Sequence, residues 1–196
     1  MPSPRRIILA STSSYRRALL ERLGIPFECA DPRTDETTRP GEAASATALR
    51  LAQAKARAVA SNYPDALIIG SDQVASCEGA RLDKPGNHAN AVRQLTAMSG
   101  KTARFDTAVA LLDSSSGKLD TKVVACDVTF RQLNAQQIER YLRLEKPYDC
   151  AGSAKVEGLG ITLIERIETE DPTSLIGLPL IALTQMLADA GAPVLG

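Results

Sequence analysis

The chain contains no tryptophan, one histidine and four cysteines, and each scarcity removes a class of chemistry. Cys29, Cys77, Cys126 and Cys150 are far apart, and no Cys-x-x-Cys pair occurs. With His88 as the sole imidazole, a zinc site of ordinary ligand spacing is disfavoured, and so is a histidine-built metal phosphohydrolase centre. A Ser-His-Asp triad would have to use His88, whose flanks (GNHAN) offer no supporting motif. Neither sign of charge is in excess, because 23 Lys+Arg balance 23 Asp+Glu. Proteins that bind nucleic-acid polymers usually carry a basic excess. The balance argues against that class, while leaving room for a compact basic pocket for one nucleotide. No segment approaches the roughly 20 apolar residues of a membrane span. The apolar run near the start, Ile7 to Ala10, is too short for a secretory core. Scattered cysteines without such a signal read as reduced, so the expectation is a cytoplasmic protein. No G-x-x-x-x-G-K-[ST] is present, and the GLG ending at Gly160 precedes a strand pattern instead of following one.

What is present begins with RIILASTSSYRRALLERLG, Arg6 to Gly24. An apolar strand pattern gives way to a hydroxyl-rich loop, Ser11 to Ser14, and then to a helical pattern opening with Tyr15, Arg16 and Arg17. The helix macrodipole favours anions at that end by about 0.3–1 kcal/mol each, so two arginines there are misplaced unless an anion joins them. Helix N-termini and arginine forks both suit phosphate. Two readings stand: a phosphate site, or an ordinary Ser13 or Ser14 N-cap with the arginines in water.

The 196 residues suffice for one domain or two small lobes. Gly24 and Pro26 stop the first helix, and Phe27 to Ala30 reads as a short strand. Asp31 to Gly41 reads as a polar loop. Glu42 to Asn62 is helical and alanine-rich, bounded by Pro64. Ala66 to Gly70 (ALIIG) fits a strand buried on both faces. Asp83 to Asn87 is a loop, and Ala89 to Met98 a helix closed by Gly100. Thr102 to Leu112 and Leu119 to Arg131 read as a hairpin joined by SSSG. Val124, Cys126, Val128 and Phe130 share one face of its second strand. Asn134 caps a helix through about Leu144. Cys150 to Gly160 is a loop, and Ile161 to Ile167 alternates like a strand. Pro179 suits the first turn of a last helix striped with Leu180, Leu183 and Leu187. Hairpin and crossover patterns together predict an α/β fold with a mixed sheet and flanking helices.

Several residues could carry chemistry, each with a plainer alternative. Asp72 follows ALIIG directly, at the expected carboxyl end of a buried strand, where open α/β sheets place ligand groups. Gly70 and Ser71 would leave room beside it, although an Asx-turn would also explain the residue. Lys55 shares a helical stripe with Leu51, Ala52 and Val59, and either snorkels or meets a buried anion. Lys84 lies in DKPG, where Pro85 would stiffen the loop that aims it, or it is a plain surface turn. The Asp35-Glu36 pair is either solvated or one of the two, with Asp72, holds Mg²⁺ or Mn²⁺, since hard cations take a few carboxylates and complete their shell with water and phosphate oxygens. Several cations and a few carboxylates suit charge-neutralised attack on a phosphoanhydride.

Taken together, LAST-S-RR (Leu9 to Arg17), the Asp35-Glu36 pair, AxxKA around Lys55, IIGSDQV, DKP, CAGS-EG-G (Cys150 to Gly160) and IGLPL (Ile176 to Leu180) resemble the Maf family of nucleoside triphosphate pyrophosphatases. The resemblance runs from about Ile7 to Leu187 and rests on the order and spacing of the motifs. It implies a single Maf-like domain over residues 1–196, with an inosine-triphosphatase-like fold, a cleft between two lobes, and a homodimer as the usual assembly. It also implies cleavage of a nucleoside triphosphate to monophosphate and pyrophosphate with a divalent cation. By motif, Asp72 would activate water, and Ser11, Arg16, Lys55 and Lys84 would handle the phosphates. Glu36 would assist the metal together with Asp72. Tyr15, Gln73 and Glu157 resemble the branch acting on 7-methyl-GTP, although tyrosine stands where that branch often holds tryptophan. The physics agrees with this branch. A 7-methylated guanine carries positive charge that an aromatic face attracts by about 0.5–2 kcal/mol. A carboxylate at Glu157 accepts from the N1–H and N2–H of guanine. The same chemistry on dTTP and UTP, and a non-catalytic nucleotide-binding regulator of cell division, are the two alternatives.

Overall fold

The strands of the computed structural model, which describes residues 5–196, follow the order β2-β1-β3-β5-β6-β7, with β4 paired to β3. They are β1 (Arg6–Ala10), β2 (Glu28–Ala30), β3 (Ala66–Cys77), β4 (Ala80–Leu82), β5 (Thr102–Asp113), β6 (Leu119–Phe130) and β7 (Ile164–Thr169). Among the described residues five α-helices accompany them: α1 (Ser14–Glu21), α2 (Ala44–Ala58), α3 (His88–Met98), α4 (Ala135–Glu145) and α5 (Leu180–Asp189). The β1 strand is parallel to β2 and β3, whereas β3/β4 and β6/β7 are antiparallel, so the sheet is mixed as expected. No helix among the described residues is long and apolar enough to cross a membrane.

The chain divides into two compact units, the first comprising Met1–Gln73, Thr107–Val124 and Asp171–Gly196. Its parallel strands need crossovers, and α1 and α2 supply them. Ile8 pairs with Ile68 and Leu9 with Ile69 in register. One core packs Leu9, Leu67 and Leu111 against Leu20, Leu183 and Leu187, which places the leucine stripe of α5 inward as its spacing predicted. At α2 the seam is much thinner. Ala48, Ala52 and Ala56 are fully buried, and a Cβ at Gly70 would overlap the carbonyl oxygen of Ala52. The space beside Gly70 is therefore filled by helix backbone, and the room expected there for a ligand does not exist.

The second unit comprises Val74–Asp106 and Ala125–Glu170. There α3 packs on α4, with Ala91, Leu95, Met98, Ile138 and Leu142 buried. Asn134 and Gln137 form a capping box at the start of α4, and Lys146 ends it in the left-handed region. Cys126, Val128 and Phe130 are buried on one side of β6, as alternation predicted. None of the four cysteines is in a disulfide, and burial pushes the Cys126 thiol up to about 11, where it is an inert core group.

Three expectations needed correction. The strand beginning at Ala66 does not stop at Gly70 but continues to Cys77, because the polar residues that follow find partners inside the fold. Ile161 is not in a strand. A 3₁₀ turn occupies Leu159–Leu163, and the strand begins at Ile164. The alanine-rich helix is shorter at both ends than Glu42 to Asn62, and a separate 3₁₀ turn covers Ala60–Asn62. Glu42 stands before α2, whose N-cap is the extended Ala43, and its carboxylate braces the helix through Arg50 at 2.6 and 2.7 Å and the Thr47 hydroxyl at 2.9 Å.

That engagement is expected to show in the acid stability of the protein. The Arg50 guanidinium holds the Glu42 carboxyl down at about 2, against 4.5 for a free glutamate. A depressed carboxylate pKa adds stability above the unfolded value, and that stability is lost as pH falls through the folded one. Thermal melts of the wild type and Glu42→Gln should therefore differ most above about pH 5 and converge as pH falls toward about 2. A constant difference across that range would rule the pair out as a contributor.

Candidate active site

The first unit gathers most of the residues singled out by the sequence. At the end of β1, the buried Ser11 accepts the backbone N–H of Ser13 on its Oγ at 3.1 Å. Ser13 is the N-cap of α1, and its side chain accepts the N–H of Arg16. The two arginines then part company. Arg17 pairs with Glu21 one turn on, at 2.9 Å in solvent. Arg16 turns inward, its Nε donating to the carbonyl of Gly177 at 2.8 Å. Burial pulls the Arg16 guanidinium below its ordinary range, and the negative charges of Asp72 and Glu36 oppose that pull. The cation at the start of the helix is thus answered by two carboxylates. Tyr15, half-buried, precedes it in the first turn of α1.

Those carboxylates meet on Lys55. Its Nζ lies 2.7 Å from Asp72 Oδ1 and 2.7 Å from Glu36 Oε1. Lys55 and Asp72 are both buried, at 5% and 7% exposure, so the lysine of the apolar stripe does not snorkel; it meets a buried anion. The short reach follows from the thin α2/β3 seam at Gly70. Glu36 comes from the loop before α2, which other contacts hold in place. Asp35 accepts from the backbone and hydroxyl of Thr37 and is lowered by them, while Arg50 reaches the Thr37 carbonyl at 3.2 Å. Of the paired acids, Asp35 shapes the loop and Glu36 faces the site.

Asp72 itself corrects the sequence reading: it sits within β3, not at the strand's carboxyl end. Its neighbours keep the strand going. The fully buried Ser71 donates toward the carbonyls of Ala108 and Gly177, at 2.8 and 2.9 Å. The amide nitrogen of Gln73 has Thr107 Oγ1, the Ser174 carbonyl and the Leu175 carbonyl within 2.9–3.1 Å. Two carbonyl acceptors fix which end of that amide is the nitrogen. The sequence offers Ser71 only as room beside Asp72, whereas it is buried and hydrogen-bonded, and the Gly177 carbonyl and the Glu42–Arg50 brace are not anticipated at all. For Gly177 the signal was the IGLPL run, but a backbone carbonyl leaves no side-chain trace.

Lys84 and Glu157 belong to the second unit. Lys84 is exposed on a loop pinned on both sides. The Asp83 carbonyl accepts from Gln94 Nε2, the Pro85 carbonyl from Asn90 Nδ2, and Gly86 N–H donates to Tyr148. The stiffness expected from Pro85 is thus reinforced by hydrogen bonds. Glu157 is exposed in a segment anchored by Glu145, which accepts the Leu159 N–H at 2.7 Å and pairs with Lys155 at 3.2 Å.

A hard divalent cation fits the first unit's donor set. Two carboxylates converge on one cationic position, at present taken by an ammonium, and both offer hard oxygens. Among the described residues no group of three or more His, Cys, Asp and Glu side chains is arranged to hold a metal. Two carboxylates are too few for a closed structural site, and an ion held there would complete its shell with water and phosphate oxygens.

Proteins named 7-methyl-GTP pyrophosphatase match at 55% identity in Cupriavidus metallidurans, over 97% of this chain and 96% of that one. The namesake of Albidiferax ferrireducens is 54% identical over 100% and 98%, and that of a Polaromonas species 56% over 97% and 87%. The crystal structure of a nucleoside-triphosphatase, a dITP/XTP pyrophosphatase from Mycobacterium abscessus, superposes with a TM-score of 0.41 at 20% identity over 66% of this chain and 76% of that chain. A family model described as Maf-like protein matches residues 6–190, and the chain belongs to the Maf-like family.

Proposed function

We propose that this protein is a nucleotide pyrophosphatase that hydrolyses 7-methyl-GTP to 7-methyl-GMP and pyrophosphate. The observation that carries the reaction is the buried Lys55 ammonium held between Asp72 and Glu36, within the electrostatic reach of Arg16. Two cations and two carboxylates cancel, so a triphosphate brought there needs additional positive charge. Glu36 and Asp72 would hold a Mg²⁺ or Mn²⁺ ion, which supplies charge to the phosphoanhydride oxygens and acidity to bound water. Asp72 then accepts the proton of the attacking water. Lys55, Arg16 and the Ser11 hydroxyl bind phosphate oxygens. The substrate reading rests on relatives more than half identical over nearly their whole length. Tyr15 as the ring facing the methylated base, Gln73 as a second selector, Glu157 as the acceptor for guanine N–H groups and Lys84 as a further phosphate ligand complete the proposal. So do a homodimeric assembly and a cytoplasmic location.

The test is pyrophosphate release from 7-methyl-GTP, GTP, dTTP, UTP and CTP, each with Mg²⁺, Mn²⁺ and chelator. Release should be fastest from 7-methyl-GTP and should stop with chelator. Glu157→Gln should lower turnover of guanine substrates by about tenfold, the loss of a charged acceptor, and leave dTTP and UTP nearly unchanged. Release confined to dTTP and UTP would overturn the substrate, and an unchanged ranking in the variant would remove Glu157 from specificity.

A further inference from the structure

IGLPL is the motif to which no chemistry has yet attached, and the segment containing it is built around site side chains. The Gly177 carbonyl accepts Arg16 Nε at 2.8 Å and Ser71 Oγ at 2.9 Å. The Ser174 carbonyl accepts Gln73 Nε2 at 3.0 Å and Thr107 Oγ1 at 2.9 Å. Asp171, 2% exposed, holds the segment in place. Its Oδ1 accepts from the N–H and hydroxyl of Thr173, and its Oδ2 accepts the Ile181 N–H at 2.7 Å. Thr173 Oγ1 in turn accepts the Leu180 N–H at 2.8 Å. Two orphan donors of the first turn of α5 are satisfied in this way, and the carboxylate lies where the helix dipole favours it.

Gly177 adopts φ +121°, a conformation that side-chain-bearing residues rarely accept. A Cβ there would come no nearer to Arg16 than 3.7 Å, so the demand for glycine comes from the backbone and not from space. Ser71 is the second support. Its single proton has two carbonyls within reach, Ala108 on β5 and Gly177 on the loop.

We propose that Gly177 is a positioning residue for Arg16: its carbonyl takes Nε and so turns the two terminal guanidinium nitrogens outward as a fork for phosphate. A guanidinium left free at Nε samples many orientations, whereas one tied there presents a single bidentate edge. This rests on the reading of Arg16 as a phosphate ligand.

A double-mutant cycle of Gly177→Ala and Arg16→Lys tests it, with kcat and KM measured on whichever triphosphate of the panel turns over fastest. Lysine has no Nε–H to tie and no fork. Gly177→Ala alone should raise KM more than it lowers kcat and reduce kcat/KM on the order of 100-fold, the scale of a small misplacement at a site. In the Arg16→Lys background the same change should cost less than about threefold, because the interaction it acts through is gone. Equal losses in both backgrounds would overturn the positioning role while leaving the phosphate reading intact. An Arg16→Lys enzyme with wild-type kcat/KM would overturn both. Ser71→Ala provides a parallel cycle where Gly177→Ala fails to fold. It should give a smaller loss in the same direction that likewise vanishes beside Arg16→Lys; persistence of that loss would overturn the proposal.

Discussion

Asp72→Asn is expected to lower kcat by about 10³-fold, within the range that a positioned general base contributes. Asparagine matches aspartate in shape and keeps an oxygen that can accept from Lys55 Nζ, where the carboxylate now accepts at 2.7 Å. What it loses is charge and basicity. The variant should therefore fold with a near-native circular dichroism spectrum, a lower melting temperature and almost no turnover. KM should change less than kcat, since Arg16 and Lys55, the proposed phosphate ligands, remain. Initial rates of pyrophosphate release, beside a thermal melt, separate the two effects. A variant that retains more than about a tenth of wild-type kcat would remove Asp72 from its role as base.

The largest expected effect on stability comes from Lys55→Met. Methionine fills the volume of the lysine stem but leaves the buried Asp72 without the cation it faces. Removing one partner of a buried pair costs about 3–5 kcal/mol, chiefly because the other charge is stranded. Asp72 carries nearly all of that cost, since the side chain of Glu36 is 60% exposed and water screens its share. Urea unfolding at neutral pH should register the loss as a lower midpoint with an unchanged slope. Added Mg²⁺ or Mn²⁺ should raise the midpoint of the variant more than that of the wild type, because the ion no longer competes with an ammonium for the two carboxylates. A loss under about 1 kcal/mol would show that the pair contributes no more than an exposed one. Equal metal responses in the two proteins would count against a metal held by Glu36 and Asp72.

How far the sequence revealed this arrangement depends on which force decides each part. The parallel half was readable because apolar runs such as ILA in β1 and ALII in β3 announce buried strands, and the leucine stripe of α5 announces its inward face. The end of β3 was not readable. Ser71, Asp72 and Gln73 are polar, and polarity after an apolar run suggests a loop; only tertiary partners such as the Ala108 and Ser174 carbonyls let the strand continue. At Ile161 the alternation was real but lost to a 3₁₀ turn held by the Glu145 carboxylate at the Leu159 N–H. In the site, Lys55 and Asp72 stood out because a lysine on an apolar stripe and a carboxylate beside a buried strand each need a partner. That they are each other's partner is long-range information, 17 residues apart along the chain and joined by 2.7 Å. The carbonyl of Gly177 was invisible in principle, since every residue carries one.

The alanine-rich character of α2 has a consequence of its own. Ala52 and Ala56 lie against Gly70 with nothing between backbone and backbone, and Lys55 rides on the same helix. The gap between a lysine and the aspartate it serves is thus calibrated by methyl groups and a missing side chain several residues away. A bulkier residue at Ala52 or Gly70 would act as a shim, lifting the helix and drawing the ammonium off its carboxylate. Positions that look like filler are in this sense the gauge block of the ion pair, and under the proposed role of Asp72 their tolerance to change is set by chemistry before it is set by packing.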